Sequence, residues 1–247
     1  MKKRFLLYPV GETPAVEYAA HYLKGYGIAI TDHPSPEVTH LILDVPSFRH
    51  GISDTLRILD TLPQDITLIG GKLSHPSLEN YPKMDLLEDP VYQAINAGIT
   101  AHCTVRVAME RLKRTMDGLP VLIIGWGRIG KCLGRLLRNM GALVTVSARN
   151  PADQAMLQAL GFGSMNPAVE KKELTPYRLI INTVPASTLA THDLEQCGQC
   201  LKLDLASERA LPGEDVIWAR GLPGTYAPES SGMLIADRVF HFLKERT

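Results

Sequence analysis

The segment Gly125-Trp126-Gly127-Arg128-Ile129-Gly130 has the residue types and the spacing to cradle a pyrophosphate. In a G-x-G-x-x-G series the first glycine permits a tight turn and the second lets backbone amides approach the phosphates. The third allows helix and strand to pack closely. Taken alone the series is weak evidence; its neighbours make it specific. Before it, Val121-Leu122-Ile123-Ile124 reads as a buried parallel strand. After it, Ile129, Cys132, Leu133, Leu136, Leu137 and Met140 recur at helical spacing, and Gly141 closes the helix. Exposed amides at that helix start would receive a dinucleotide.

The next strand, Ala142 to Val146, ends in Ser147-Ala148-Arg149-Asn150. Ser147 lies 22 residues after Gly125, about where an NAD enzyme carries a carboxylate for the ribose 2′-hydroxyl. No carboxylate is present there. A serine hydroxyl and an arginine suit a 2′-phosphate, because a guanidinium gives charge-assisted bonds that a carboxylate would oppose. NADP(H) is therefore expected over NAD(H). Asn150-Pro151 also opens a helix, with Asn150 as its cap.

The elements that position these residues alternate between strand and helix, the pattern of parallel sheets covered on both faces. Before Asp117 the chain reads as a smaller α/β domain. Its strands fall at Arg4 to Val10, Ile28 to Ile30, Leu41 to Leu43 and Ile66 to Gly70, its helices at Pro14 to Lys24 and Ser53 to Leu62. Pro76 to Pro90 reads as turns and irregular chain. A long helix from Ile99 to Met116 leads into the fingerprint strand. Helix Pro151 to Leu160, a strand near Phe162, a helix around Val169 and strand Leu179 to Ile181 follow. Next come a helix after Ser187, strands Leu201 to Leu205 and Val216 to Trp218, and a last helix from about Ser230 to Lys244. That helix carries Met233, Ala236, Val239, Phe240 and Leu243 as its apolar face and could cross back onto the first domain. The expected division is 1–98 with 229–247, a linker helix over 99–117, and a dinucleotide-binding domain over 118–228. Ligands bind beyond the carboxyl ends of such strands. That rule gathers the glycine turn, Ser147 to Asn150, Asn182 to Pro185, Ala206 to Glu208 and Gly221 to Gly224 into one crevice. Thr183, Val184 and Pro185 would lie along the nicotinamide side.

Composition narrows the function classes. The 247 residues carry 26 basic and 26 acidic side chains, so no global field points to nucleic acid or an anionic membrane. The basic start breaks at Pro9 and Gly11, too early for a signal segment, and no stretch approaches a membrane span. A cytoplasmic protein is expected. Four cysteines make no disulfide framework at this length. Cys197-Gly198-Gln199-Cys200 has no second Cys or His pair at zinc spacing and does not open a helix after a strand, so it reads as coincidental, and no metal site is expected.

Several segments resemble the A subunit of dipicolinate synthase from spore-forming bacteria. They are Val121 to Gly130, Val146 to Arg149, Ile181 to Ala186, and the tail. In the tail, Leu203-Asp204-Leu205-Ala206-Ser207 and Gly221-Leu222-Pro223-Gly224-Thr225-Tyr226-Ala227-Pro228 match the patterns “DLAS” and “GLPG-x-x-AP”, with Ser231-Gly232 and Ile235-Ala236 continuing the match. The likeness is good from about residue 88 onward. It implies a flavodoxin-like first domain plus a Rossmann domain, laid out as in D-2-hydroxyacid dehydrogenases. It further implies an NADP-type oxidoreductase of dipicolinic acid biosynthesis in sporulation. Such a protein works with a flavoprotein-like B subunit on a dihydrodipicolinate-type cyclic dicarboxylate; a homo-oligomer is expected. Where the family has Pro-Thr-x-Glu-Gly, this chain reads Ile99-Thr100-Ala101-His102-Cys103, so an imidazole replaces a carboxylate.

That reaction needs a hydride acceptor, a proton acceptor and sites for two carboxylates. Two helix starts, near Asn96 to Thr100 and near Ser230-Ser231, would offer unpaired amides to the carboxylates across the interdomain cleft. Asn96, Thr100, Ser207, Ser230 and Ser231 are the expected substrate contacts, and His102 the proton acceptor. Alternatives are a D-2-hydroxyacid dehydrogenase, disfavoured because no His precedes His241 in the tail, and a non-catalytic NADP-binding sensor.

Overall fold

Short β-branched strands alternating with amphipathic helices bury both faces of a parallel sheet, and this chain builds two such sheets. A computed structural model describes residues 5–48, 51–167, 174–186, 189–195 and 197–246. The chain divides into two compact units: residues Met1–Asn96 with Pro223–Thr247, and Ala97–Leu222.

In the first unit β1 (Leu6–Val10), α1 (Pro14–Gly25), β2 (Ala29–Ile30), β3 (His40–Leu43), α2 (Ser53–Leu59), β4 (Thr67–Gly70) and β5 (Lys83–Asp85) follow in turn. The parallel strands stand in the order β2-β1-β3-β4-β5, the flavodoxin-like arrangement. Beyond shifts of a residue or so, two elements differ from the sequence reading. β5 lies within the stretch read as irregular; three half-buried residues behind Pro82 carry too little pattern to reveal an edge strand. α2 stops at Leu59 rather than Leu62, because Thr61 and Leu62 close tighter turns onto Ile58 and Leu59.

α3 runs from Pro90 to Arg111, and the division between the units falls within it. It begins nine residues before Ile99 and ends five before Met116 (99 − 90 and 116 − 111). The physical cause of its start is Asp89, whose Oδ1 accepts from the amides of Val91 at 2.8 Å and Tyr92 at 3.3 Å. Proline follows at the first helical position, where a missing N–H costs nothing.

The second unit continues through β6 (Pro120–Ile124), α4 (Arg128–Asn139), β7 (Leu143–Ser147), α5 (Pro151–Ala159) and β8 (Gly163–Met165). It ends with β9 (Leu179–Asn182), α6 (Thr191–Glu195), β10 (Leu201–Asp204) and β11 (Val216–Trp218), and the chain returns to the first unit within α7 (Leu222–Tyr226). Its parallel strands stand in the order β11-β10-β9-β6-β7-β8. Read from β6 this is the Rossmann order, and the direction of progression reverses between β6 and β9. The helix expected around Val169 lies outside the described residues.

α8 (Pro228–Lys244) packs on α1 in the first unit. The helices touch at Gly232, where an added Cβ would stand 2.6 Å from the Ala15 carbonyl oxygen and 2.8 Å from the Ala19 nitrogen. Arg238 pairs with Asp89 at 2.6 Å, and the Tyr22 hydroxyl donates to Glu229 at 2.9 Å. The buried face runs through Ser231, Leu234, Ile235, Ala236, Val239 and Leu243, whereas Met233, expected on it, is exposed. Among the described residues no helix is long and apolar enough to cross a membrane.

Candidate functional site

The buried residues Ile123 and Ile124 end β6 and deliver the chain into a turn that only glycine can make. Gly125 has φ +102°, and a Cβ there would meet Thr183 Oγ1 and Val184 Cγ1 at 2.6 Å. Its amide donates to the Ser147 carbonyl at 2.9 Å. Gly130 sits beneath the turn, where a Cβ would fall against the Gly125 carbonyl oxygen and 3.1 Å from its carbon. Gly127 is different: it is exposed, and a Cβ would meet nothing within 4 Å. It caps α4 with extended backbone and no side-chain cap.

The first amides of α4 therefore have neither a helical acceptor nor a capping side chain. The first turn holds no acid; exposed Arg128 and, just beyond, exposed Lys131 are basic. Cations at this end work against the helix dipole by about 0.3–1 kcal/mol each. A bound anion would reverse that sign. The open face at Gly127, the uncapped amides and the basic side chains together fit a dinucleotide pyrophosphate. Half-buried Trp126 turns back onto α4. Its ring stands edge-on to Phe162, with centroids 5.5 Å apart, over Gly134.

At the end of β7, Ser147 is buried while Arg149 and Asn150 are exposed. Asn150 accepts from the Ala152 amide at 2.9 Å and so caps α5. Arg149 makes no hydrogen bond or ion pair with any described residue. Asp153, inside α5, is the first carboxylate after the strand.

At the end of β9, the Thr183 amide and hydroxyl both donate to the Ile124 carbonyl at 2.9 Å, which seats Thr183 and Val184 on the glycine turn. Pro185 is exposed beyond them. Behind this turn is a network that sequence reasoning missed. Asn182 and Asp204 are fully buried and joined by Asn182 Nδ2 donating to Asp204 Oδ1 at 2.8 Å. The available signal was a polar residue ending each apolar strand, Leu-Ile-Ile-Asn and Leu-Lys-Leu-Asp.

The expected substrate contacts fare differently. Because α3 starts at Pro90, Asn96 and Thr100 lie inside the helix, and the amides at its true start are taken by Asp89. Thr100 is buried, and its carbonyl accepts from Thr104 Oγ1 at 2.8 Å. Ser231 is buried as well; its amide and hydroxyl both donate to the Ala227 carbonyl, at 3.0 and 3.1 Å. α8 starts at Pro228, so neither serine is its cap, and Ser230 is exposed in the first turn. Ser207 is exposed in the loop after β10, and His102 is exposed on α3. Gly221 to Gly224 is not an open loop, since Leu222 begins α7.

In the first unit the loop after β1 meets a carboxylate instead of an open face. Buried Asp44 accepts from the Glu12 amide at 2.8 Å, the Thr13 amide at 3.3 Å and the Thr13 hydroxyl. The anion position at the head of α1 is thus filled by the chain itself. The four cysteines are free. Burial pushes the Cys200 thiol up to about 12, which suppresses the thiolate that redox or metal chemistry needs.

No family model matches the chain. The A subunit of dipicolinate synthase from Bacillus subtilis (strain 168) is 28% identical over 202 residues, covering 76% of this chain and 68% of the relative. The crystal structure of the same subunit from Bacillus halodurans matches with a TM-score of 0.84 at 20% identity, covering 98% of this chain and 99% of that one. The transhydrogenase of Sinorhizobium meliloti matches at 0.71 and 12% identity, over 98% of this chain and 94% of that one. The chain is similar to the dipicolinate synthase A subunit in sequence and shares its two-domain α/β fold.

Proposed function

We propose that this chain is a nicotinamide-dinucleotide-dependent oxidoreductase of the dipicolinate synthase A kind, oxidising a dihydrodipicolinate-type cyclic dicarboxylate to dipicolinate. The observation that carries the reading is the uncapped, open start of α4 at Gly127, joined to a β7 end that bears Arg149 and no carboxylate. The likeness to the A subunit of dipicolinate synthase supports the substrate class.

In this reading the amides of Gly127, Arg128 and Ile129 hold the pyrophosphate, with Gly125 and Gly130 giving the turn its shape and Trp126 bracing it. Arg149, with Ser147 and Asn150 beside it, meets the 2′-phosphate, so NADP(H) is the preferred form. Thr183, Val184 and Pro185 flank the nicotinamide half. When bound, the nicotinamide ring supplies the hydride acceptor. Ser207 offers a hydroxyl to a substrate carboxylate. His102, exposed on α3, takes the proton released as the ring becomes aromatic.

The test follows reduced-nicotinamide absorbance with purified protein, NADP⁺ and a dihydrodipicolinate-type substrate, with and without a flavoprotein-like B subunit. Formation of dipicolinate and NADPH supports the reading, and dependence on the second subunit establishes a two-component enzyme. Tight cofactor binding without turnover in either mixture makes the chain a nucleotide sensor and overturns the reading. His102→Gln is expected to lower kcat while leaving dinucleotide affinity unchanged.

A further inference from the structure

We infer that Asn182 and Asp204 form a positioning latch that ties the turn flanking the nicotinamide half to the loop after β10; the inference rests on the nucleotide-binding reading above. Both side chains are fully buried at the carboxyl ends of adjacent central strands. Every strong contact of the Asp204 carboxylate is an acceptor contact. Oδ1 accepts from Asn182 Nδ2 at 2.8 Å and from the Ala206 amide at 3.1 Å. Oδ2 accepts from the amides of Ala210 at 2.7 Å and Leu211 at 2.9 Å. One carboxylate thereby folds the segment from Ala206 to Leu211 back over the strand end.

Asn182 passes that constraint to the neighbouring turn. Its Oδ1 accepts from the Val184 amide at 3.2 Å, and its Nδ2 donates to the Val184 carbonyl at 2.9 Å as well as to Asp204. Val184 in turn sits against Gly125, as shown by the 2.6 Å a Cβ would leave there. The latch therefore runs from the loop carrying Ser207, through two buried side chains, to the wall of the glycine turn. It touches neither Gly127 nor Arg149. Its effect belongs to the nicotinamide half and not to the adenosine half.

The chemistry of the pair makes it sensitive to one atom. In Asp204→Asn the new NH₂ faces either the amides of Ala210 and Leu211 or Asn182 Nδ2 and the Ala206 amide, donors facing donors in both cases. A buried donor without an acceptor is the costly outcome. Alanine at 182 removes the link between the two segments and leaves the Asp204 contacts to Ala206, Ala210 and Leu211 in place.

Two probes separate the halves of the cofactor: NADPH, and 2′-phospho-ADP-ribose, which lacks the nicotinamide. Asp204→Asn and Asn182→Ala should each weaken NADPH by about tenfold, the equivalent of one hydrogen bond's worth of alignment, and dampen the fluorescence change of the bound reduced ring. Affinity for 2′-phospho-ADP-ribose should stay within about twofold, a difference below one such bond. Equal loss for both probes, or no loss for either, overturns the latch, as does collapse of the fold in both variants. If only Asp204→Asn fails to fold, Asn182→Ala decides. Amide exchange in the free protein keeps the two ideas apart. In Asn182→Ala, exchange should rise together at Val184 and across Ala206 to Leu211, and a rise confined to one segment refutes the coupling. If the unaltered protein binds neither probe, the nucleotide reading falls while the exchange result still judges the latch.

Discussion

Gly127 and Gly130 belong to one fingerprint, yet the structure assigns them opposite sensitivities, and replacing each with alanine separates ligand binding from folding. At Gly127 the backbone is extended, with φ −76° and ψ −169°, a conformation any residue adopts, and a Cβ meets nothing within 4 Å. Alanine is a poorer helix cap than glycine by about 0.5–1 kcal/mol. It also restricts the unfolded chain, which returns about 0.4–1 kcal/mol. The free protein should melt almost where the unaltered one does. In the proposed complex the methyl group would stand where a pyrophosphate oxygen comes to reach the amides. Loss of one charge-assisted hydrogen bond, about 1.5–3 kcal/mol, weakens NADPH by about ten- to a hundredfold. Gly130→Ala presses a methyl group onto the Gly125 carbonyl, 3.1 Å from its carbon and closer to its oxygen. Backbone cannot swing aside as a side chain can, so the expected loss is about 1–3 kcal/mol, several degrees in Tm. Calorimetric titration with NADPH and thermal melts of the free proteins read both quantities. Full NADPH affinity in Gly127→Ala would refute the reasoning, as would equal destabilisation by the two substitutions.

Arg149→Glu should reverse the preference from NADPH to NADH, with Tm unchanged because Arg149 has no described partner; binding titrations with both cofactors read the ratio. His40 is held down to about 4, from 6.5, chiefly by burial and secondarily by the Arg246 guanidinium. Between those values the unfolded chain binds a proton that the folded chain refuses. Stability is therefore complete above about pH 6.5 and falls as the pH drops toward about 4, by up to about 3 kcal/mol. Denaturant titrations across that range should show the loss, and His40→Leu should flatten it. Asp44→Ala strands the amides of Glu12 and Thr13 and should cost about 1–3 kcal/mol in the same assay.

The glycine turn was legible in the sequence because strand, turn and helix signals adjoin and agree. The alternation of strands and helices made two parallel α/β domains legible too, whereas the flavodoxin-like order of the first rested on the family resemblance and β5 was missed. The start of α3 was not legible, although Asp89-Pro90 is a cap and a first-position proline. The run of buried positions that betrays the helix sets in only around Ala97, so the exposed Val91 and Ile95 weakened the pattern. That single boundary removes the helix-start amides on which the expectation for Asn96 and Thr100 was built. Asn182 and Asp204 lay beyond reach for another reason. Their hydrogen bond joins residues 22 apart, and nothing local distinguishes a strand-ending asparagine that faces solvent from one that holds a neighbouring loop. Lys202 is a parallel case: it is 1% exposed in β10 and paired with Asp215, and nothing in the local sequence marks it as buried.

The crystal structure of the complex with NADP⁺ tests the account most directly. The expected complex has the pyrophosphate on the amides of Gly127, Arg128 and Ile129, the 2′-phosphate on Arg149, and the nicotinamide beside Val184 and Pro185. A dinucleotide bound away from the start of α4, or one whose 2′-phosphate leaves Arg149 untouched, would contradict it.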